Sequence, residues 1–337
     1  MAPKKTTKPL KTKRETRRDL KNKLKTDKKM ASKKVDSKKA SSKTADIKKA
    51  SSKKESKTTA SKEFSSEMKS HSKILKGLDD IDKFSIAKLK TGIVGLDALF
   101  SEGIPEGSAV IVEGGPGSGK TTMCLQILYE MVKSGKKALY MSFEEPEFRL
   151  FAHMNDFDWD VKEYVKKGLL RVERFNALDI ARSVEALLSE AKNELLIEIE
   201  PVLIPKDFKP DIIVLDSLSS ISSAFSGESS RFRIYMEQLF RYLESNDITS
   251  FLIRETPTPA HLGNVTDVNG GAVSFLSDGI IVVYNVINPD HTRSRAIEVL
   301  KMRGEDIDTR IVEATIKKGK GVVVYPKKYL QKGCILT

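Results

Sequence analysis

Gly114-Gly115-Pro116-Gly117-Ser118-Gly119-Lys120-Thr121-Thr122 is the stretch whose residue types and spacing speak most directly of chemistry. Glycines let backbone N–H groups converge on phosphate oxygens with no side chain in the way. Lys120 is then the cation that reaches the β- and γ-phosphates, which makes it a catalytic as well as a binding candidate. The Thr121 hydroxyl is a ligand for Mg2+. Two further sets of carboxylates suit the same chemistry. Asp211-Ile212-Ile213-Val214-Leu215-Asp216 is a β-branched apolar run that closes on an acid. Asp216 fits a Walker B carboxylate holding Mg2+ through water; the plainer alternative is a strand-end acid that caps the next turn. Glu144-Glu145-Pro146 closes another apolar run. Two adjacent carboxylates there can orient or deprotonate a water that attacks the γ-phosphate. Taken alone, such a pair is more often the first turn of a helix opening on Pro, because acids favour that end of the helix dipole.

These residues need elements that bring them to one place. Ser108–Glu113 reads as a buried strand, and Met123, Leu125, Leu128, Met131 and Val132 follow the Gly-rich loop at helical spacing. Strand, loop, helix is the context in which such a loop binds phosphate, and the helix N-terminus adds its dipole and free amides. Lys137–Phe143 and Asp211–Asp216 read as further strands, the latter buried on both faces as in a parallel sheet. Ile180–Leu196 and Arg231–Leu243 are predicted as covering helices, and Thr249–Ile253 as the next strand. Ile280–Val286, Arg295–Leu300 and Arg310–Ile316 with Gly321–Tyr325 are predicted as late strands and a hairpin. Pro201, Pro205 and Pro210 mark a loop at Glu198–Pro210, and Pro257, Pro259, Gly263, Gly270 and Gly271 mark a mobile one at Thr256–Gly271. Cys124 falls on the inner side of the first helix and reads as a small core residue.

Together these residues resemble the KaiC-like ATPases, a branch of the RecA superfamily, over roughly residues 84–326. Thr91-Gly92-Ile93-Val94-Gly95-Leu96-Asp97-Ala98-Leu99 with Gly103-Ile104-Pro105-Glu106-Gly107 is similar to that family's lead-in. Ser142-Phe143-Glu144-Glu145-Pro146 is similar to its strand-end glutamate pair, and Phe157-Asp158-Trp159-Asp160 to the segment after it. Ile297-Glu298-Val299-Leu300-Lys301-Met302-Arg303-Gly304 is similar to its late strand. The resemblance implies a RecA-like P-loop NTPase fold: a mainly parallel twisted sheet flanked by helices, with a C-terminal β-hairpin. It implies ATP and Mg2+ as ligands, Glu144 as catalytic base and Glu145 as its helper or substitute. It also implies that Lys301 and Arg303 act in trans on the neighbouring subunit's ATP, within a homo-oligomer, a hexameric ring. The plainer reading of Lys301 and Arg303 is a solvated strand edge. The clock protein that names the family has two tandem ATPase domains, whereas this chain has one P-loop. Its second domain is an autokinase with an adjacent Ser-Thr acceptor pair; here Ser274-Phe275 stands at that place, so a two-site phosphorylation cycle is not expected. A single KaiC-like domain is a common archaeal arrangement, so an archaeal protein is expected.

Charge separates this body from what precedes it. The chain holds 59 Lys and Arg against 46 Asp and Glu, a net +13. Residues 1–70 carry 25 basic and 8 acidic residues, leaving 34 and 38 for residues 71–337. Leu10, Leu20, Leu24, Val35 and Ile47 are too sparse to offset the entropy of ordering, so residues 1–70 are predicted to be a disordered tail, followed by a linker at 71–83. The ATPase domain is assigned to 84–326 and a C-terminal tail to 327–337. Lys38-Lys39-Ala40-Ser41-Ser42-Lys43 recurs ten residues on, a low-complexity repeat resembling the Lys/Ala/Ser tails of linker histones. Lysines that neutralise phosphates release condensed cations, so the tail is expected to bind DNA or RNA in a salt-sensitive way. A solubilising tail without a partner, or one meeting a membrane or an acidic protein, are the alternatives. The chain has no run of about 20 apolar residues, so membrane insertion is not expected. The two cysteines, Cys124 and Cys334, make no disulfide framework, and the charged N-terminus is unlike a secretory signal. Both point to the cytoplasm, with nucleoid association following from the tail.

Four activities compete on these residues. The leading one is an ATP-hydrolysing oligomer tethered to nucleic acid, regulatory or signalling, acting on an unidentified protein client. A recombination accessory protein of the RecA type acting directly on DNA is the second; its loop at Thr256–Gly271 has His261 and Asp267 as its only ionisable groups. A non-hydrolysing ATP-dependent scaffold is the third, and the glutamate pair argues against it. An autokinase using Ser274 is the fourth and the least expected.

Overall fold

Val110, Ile111 and Val112 are fully buried, and so are Leu139, Tyr140, Ile212 and Val214. Strands buried on both faces pair in parallel between two layers of helices, and the chain does so here. The structure is a computed structural model; it describes residues 86–190, 204–205, 207–225, 228–256 and 273–337. The tail at 1–70, the linker and the 257–272 segment containing His261 and Asp267 lie outside those residues.

Two short strands, β1 (Lys88–Leu89) and β2 (Ile104–Pro105), form a small antiparallel pair. The main sheet has ten strands. Its parallel part runs through β3 (Ala109–Gly114), β4 (Ala138–Ser142), β5 (Leu170–Arg174), β6 (Ile212–Asp216), β7 (Thr249–Glu255) and β8 (Gly279–Ile287). The antiparallel part adds β9 (Arg293–Met302), β10 (Val312–Lys317), β11 (Gly321–Tyr329) and β12 (Ile335–Leu336). The order is β11-β10-β9-β8-β3-β7-β6-β4-β5, with β12 paired to β8. β9, β10 and β11 hang on β8 as successive antiparallel neighbours, so the expected hairpin continues the sheet. Residues 327–337, set apart in the sequence as a tail, contribute the end of β11 and the whole of β12.

Helices α1 (Lys120–Lys133) and α2 (Glu147–Asp156) cover one face with the short α3 (Lys162–Lys166). Met123, Cys124, Ile127, Leu128, Leu150 and Met154 fill the core beneath α1 and α2. The other face carries α4 (Ala177–Glu190), α5 (Leu218–Ala224) and α6 (Ser229–Ser245). On α6, Phe232, Tyr235, Met236, Leu239, Phe240 and Leu243 recur every three or four residues and are all buried. Each such side chain contributes about 1.5–3 kcal/mol of burial free energy. Among the described residues no helix is long and apolar enough to cross a membrane.

Candidate functional site

The C-terminal ends of β3, β4, β6 and β7 lie in register: Ser142 pairs with Asp216 and Gly114 with Glu255. Ligands bind at this end of a parallel sheet. The Gly-rich loop leaves β3 here and enters α1, whose N-cap, Gly119, takes a left-handed conformation with φ 110° and offers no capping side chain. Its first-turn amides therefore face outward, ready for an anion. A Cβ on Gly119 would stand 2.7 Å from Ile316 Cδ1, and one on Gly114 2.1 Å from the Val283 carbonyl. Over Gly117, at φ 72°, there is open space. The loop is thus tight against the sheet and bare on its outer side, where a phosphate would approach. Ser118 Oγ is buried with no hydrogen-bond partner among the described residues. The residues present fit a bound triphosphate.

Lys120 is 6% exposed. Its Nζ donates to the Gly115 carbonyl at 3.0 Å and lies 3.5 Å from Glu255 Oε1. Thr121 Oγ1 donates to Asp216 Oδ2 at 2.9 Å, which joins the two metal candidates. Tyr140 also donates its hydroxyl to Asp216 Oδ2. Burial raises the Asp216 carboxyl above its ordinary value; the Tyr140 and Thr121 hydrogen bonds oppose that rise, and the Glu144 charge adds to it. A divalent cation at Asp216 would act as those two hydrogen bonds do, favouring the ionised carboxylate. Cys124, fully buried beneath the loop, has its thiol pushed up by burial and by Asp216, as an inert core residue would.

Glu144 and Glu145 follow β4, and α2 starts only at Glu147 with Pro146 as its N-cap, so neither acid belongs to the helix. Their roles differ. Glu144 Oε1 accepts from Ser217 Oγ at 3.0 Å and Ser220 Oγ at 2.7 Å, which leaves Oε2 without a partner among the described residues. Glu145 faces His153 at 3.8 Å. Sequence reasoning missed Tyr140, Ser217 and Ser220. A Ser at the N-cap of α5, directly after Asp216, was the available signal: the Ser217 side chain accepts from the Ser220 amide. It missed Asn285 and Arg295 too. Asn285 Nδ2 donates to the Pro116 carbonyl at 3.0 Å and Arg295 to the Gly117 carbonyl at 3.2 Å, which fasten the loop to β8 and β9.

Lys301 and Arg303 are not brought to this cluster. Lys301 pairs with Ile280, and Arg303 N–H donates to the Asp278 carbonyl, whose own amide bonds the Ala109 carbonyl. Both therefore sit toward the start of β3, while the loop leaves its end. Arg303 is level with Ala109, five steps and about 17 Å from Gly114 at about 3.3 Å per residue, and Lys301 is level with Ile111, three steps and about 10 Å away. Lys301 Nζ donates to the Ser274 carbonyl at 3.1 Å and to that of Ser277. Arg303 bonds the Phe275 carbonyl at 2.9 Å and Asp278 at 3.1 Å. Burial and the neighbouring Arg303 lower the Lys301 ammonium below its ordinary value. Ser274 Oγ accepts from Arg254, which also pairs with buried Glu113.

Comparison with known proteins follows the same outline. The family model described as "ATPase: KaiC" matches residues 89–329. The circadian clock protein KaiC3 of Synechocystis is 30% identical over 73% of this chain, which spans 47% of that protein's length. A UPF0273 protein of the archaeon Pyrococcus horikoshii is 30% identical over 74% of this chain and 98% of its own. The crystal structure of a KaiC-like protein from the same organism superposes with a TM-score of 0.56 at 26% identity, covering 72% of this chain and all of that one.

Proposed function

The chain belongs to the KaiC family of ATPases, and on that premise we propose that it binds ATP between adjoining protomers and hydrolyses it, with residues 1–70 tethering the assembly to nucleic acid. The observation that supports this most is the meeting of Lys120, Thr121, Asp216 and Glu144 at one end of the parallel strands. In this reading the loop 114–122 holds the phosphates through its amides, and Lys120 neutralises the β- and γ-oxygens. Thr121 and Asp216 hold Mg2+, which supplies charge neutralisation at the phosphate oxygens when bound. Glu144, braced on Ser217 and Ser220 through one oxygen, keeps the other to take a proton from water. Glu145 stands by as helper.

Lys301 and Arg303 lie back along β3 from the loop of their own chain, Arg303 level with its start, which favours a role at a neighbour's phosphate. The assembly proposed on that ground is a head-to-tail ring with the nucleotide at each interface. Turnover then depends on assembly, as a regulatory or signalling ATPase requires.

Glu144→Gln tests the reading. ATP affinity should stay within about threefold of wild type while turnover falls by about 10²–10⁴, measured by equilibrium binding and phosphate release. Lys120→Ala should lose binding itself. Unchanged turnover in Glu144→Gln would move the base role to Glu145, and unchanged affinity in Lys120→Ala would remove the phosphate site.

A further inference from the structure

Residues 310–332 carry seven Lys and Arg and one acid, Glu313, inside a body whose overall balance is acidic. They carry the outermost strand of the sheet, β11, and its partner β10; among the described residues β11 pairs with β10 alone. The register between β10 and β11 jumps from Glu313↔Tyr325 to Val312↔Tyr329, so Pro326, Lys327 and Lys328 are extruded as a bulge. Lys317 Nζ lies 5.5 Å and Lys328 Nζ 4.8 Å from the centroid of the Tyr325 ring, and Arg310 stands 4.7 Å over that of Tyr329. Lys317, Lys327 and Lys328 are exposed and have no carboxylate partner among the described residues.

Lysines on an edge strand often serve only to repel other strands. That purpose is met by charges that stand apart. Here two ammonium groups gather at one aromatic ring, against their mutual repulsion, and the Lys317 contact lowers the Tyr325 phenol below its ordinary value. Lys317 and Lys328 held at the Tyr325 ring, beside a bulge that sets out Lys327, give this edge a cluster of cations that matches the charge of a nucleic-acid backbone.

We propose that the β10–β11 edge is a second nucleic-acid contact, through which Lys317, Lys327 and Lys328 take phosphodiester groups directly onto the folded domain. It stands independently of the tail, because its residues belong to the sheet. The test uses the full chain and a chain lacking residues 1–70, which keeps both hydrophobic cores. Labelled duplex DNA, single-stranded DNA and RNA are titrated across a range of salt. The truncated chain should still bind, and changing Lys317, Lys327 and Lys328 together to Gln should lower its log–log salt slope on duplex by about 3. The matching triple change to Arg should preserve binding. Three outcomes overturn the proposal: a truncated chain that binds none of the three nucleic acids, a Gln variant with an unaltered slope, or binding to phosphatidylserine vesicles alone. Equal binding by the full and truncated chains would defeat the tail reading and leave the hairpin standing.

Discussion

Asp216 is held in a condition that costs the fold. Its carboxyl titrates above the ordinary value because it is buried, and because Glu144 lies nearby. Ionising such a group penalises the folded state. The penalty is absent below the unfolded value of about 3.9, builds as pH rises from there to the higher folded value, and is complete above it. Asp216→Asn should therefore raise the melting temperature at neutral pH, and lose Mg2+-dependent hydrolysis. The gain should vanish in acid. Tyr140→Phe removes a hydrogen bond that lowers this carboxyl, so the acid limb of the pH–activity profile should move to higher pH. An acid limb that stays in place would show that Asp216 does not control it. Asp216 was legible in the sequence as the end of an apolar run, but Tyr140 was not. Its hydroxyl reaches Asp216 across a strand pair whose members are 76 residues apart.

At the level of elements, the Gly-rich loop 114–122 is clamped from two sides. Asn285 and Arg295 hold it from β8 and β9. β12 continues the line of β3 along β8, where Thr337 and Asn285 exchange both backbone hydrogen bonds beside Gly115. On α1, buried Gln126 acts as a strand partner: it accepts from the Val322 amide at 2.7 Å and donates to the Lys320 and Val322 carbonyls. The loop's helix and the terminal hairpin are thereby one unit. Gly321 belongs to the same contact, since a Cβ there would stand 2.3 Å from Gln126 Oε1. Gln126→Leu leaves a buried amide and carbonyl unpaired and should cost about 2 kcal/mol, read by urea denaturation. A change under about 0.5 kcal/mol, the range of neutral surface substitutions, would mean that the hairpin and helix are held by apolar packing alone. The sequence marked α1 and the hairpin separately, each by its own periodicity, and gave no sign of Gln126.

For the whole molecule, the separation of Arg303 from its own loop is the decisive feature. If Arg303 serves a neighbour, a Lys120→Ala subunit can still lend its arginine to an Arg303→Ala subunit with an intact loop. Mixing the two inactive proteins should restore phosphate release, greatest at equal amounts, where mixed interfaces are most frequent. No recovery at any ratio would exclude the arrangement. Charge is divided unevenly along the sequence: residues 1–70 and 310–332 are basic, and the rest of the chain is acidic. Net charge alone, at +13, would have described neither.

The phosphate loop, the strand-end acids and the succession of strands and helices were determined by the sequence alone. A loop that cradles phosphate needs its glycines, lysine and hydroxyl contiguous, and a buried strand or amphipathic helix writes its period into neighbouring residues. What Glu144 leans on, what raises Asp216, what clamps the loop and which end of the sheet carries Lys301 and Arg303 were decided only by the tertiary structure. Those relations depend on strand order. Strands far apart in sequence become neighbours through long crossovers, and no local pattern records which strand lies beside which.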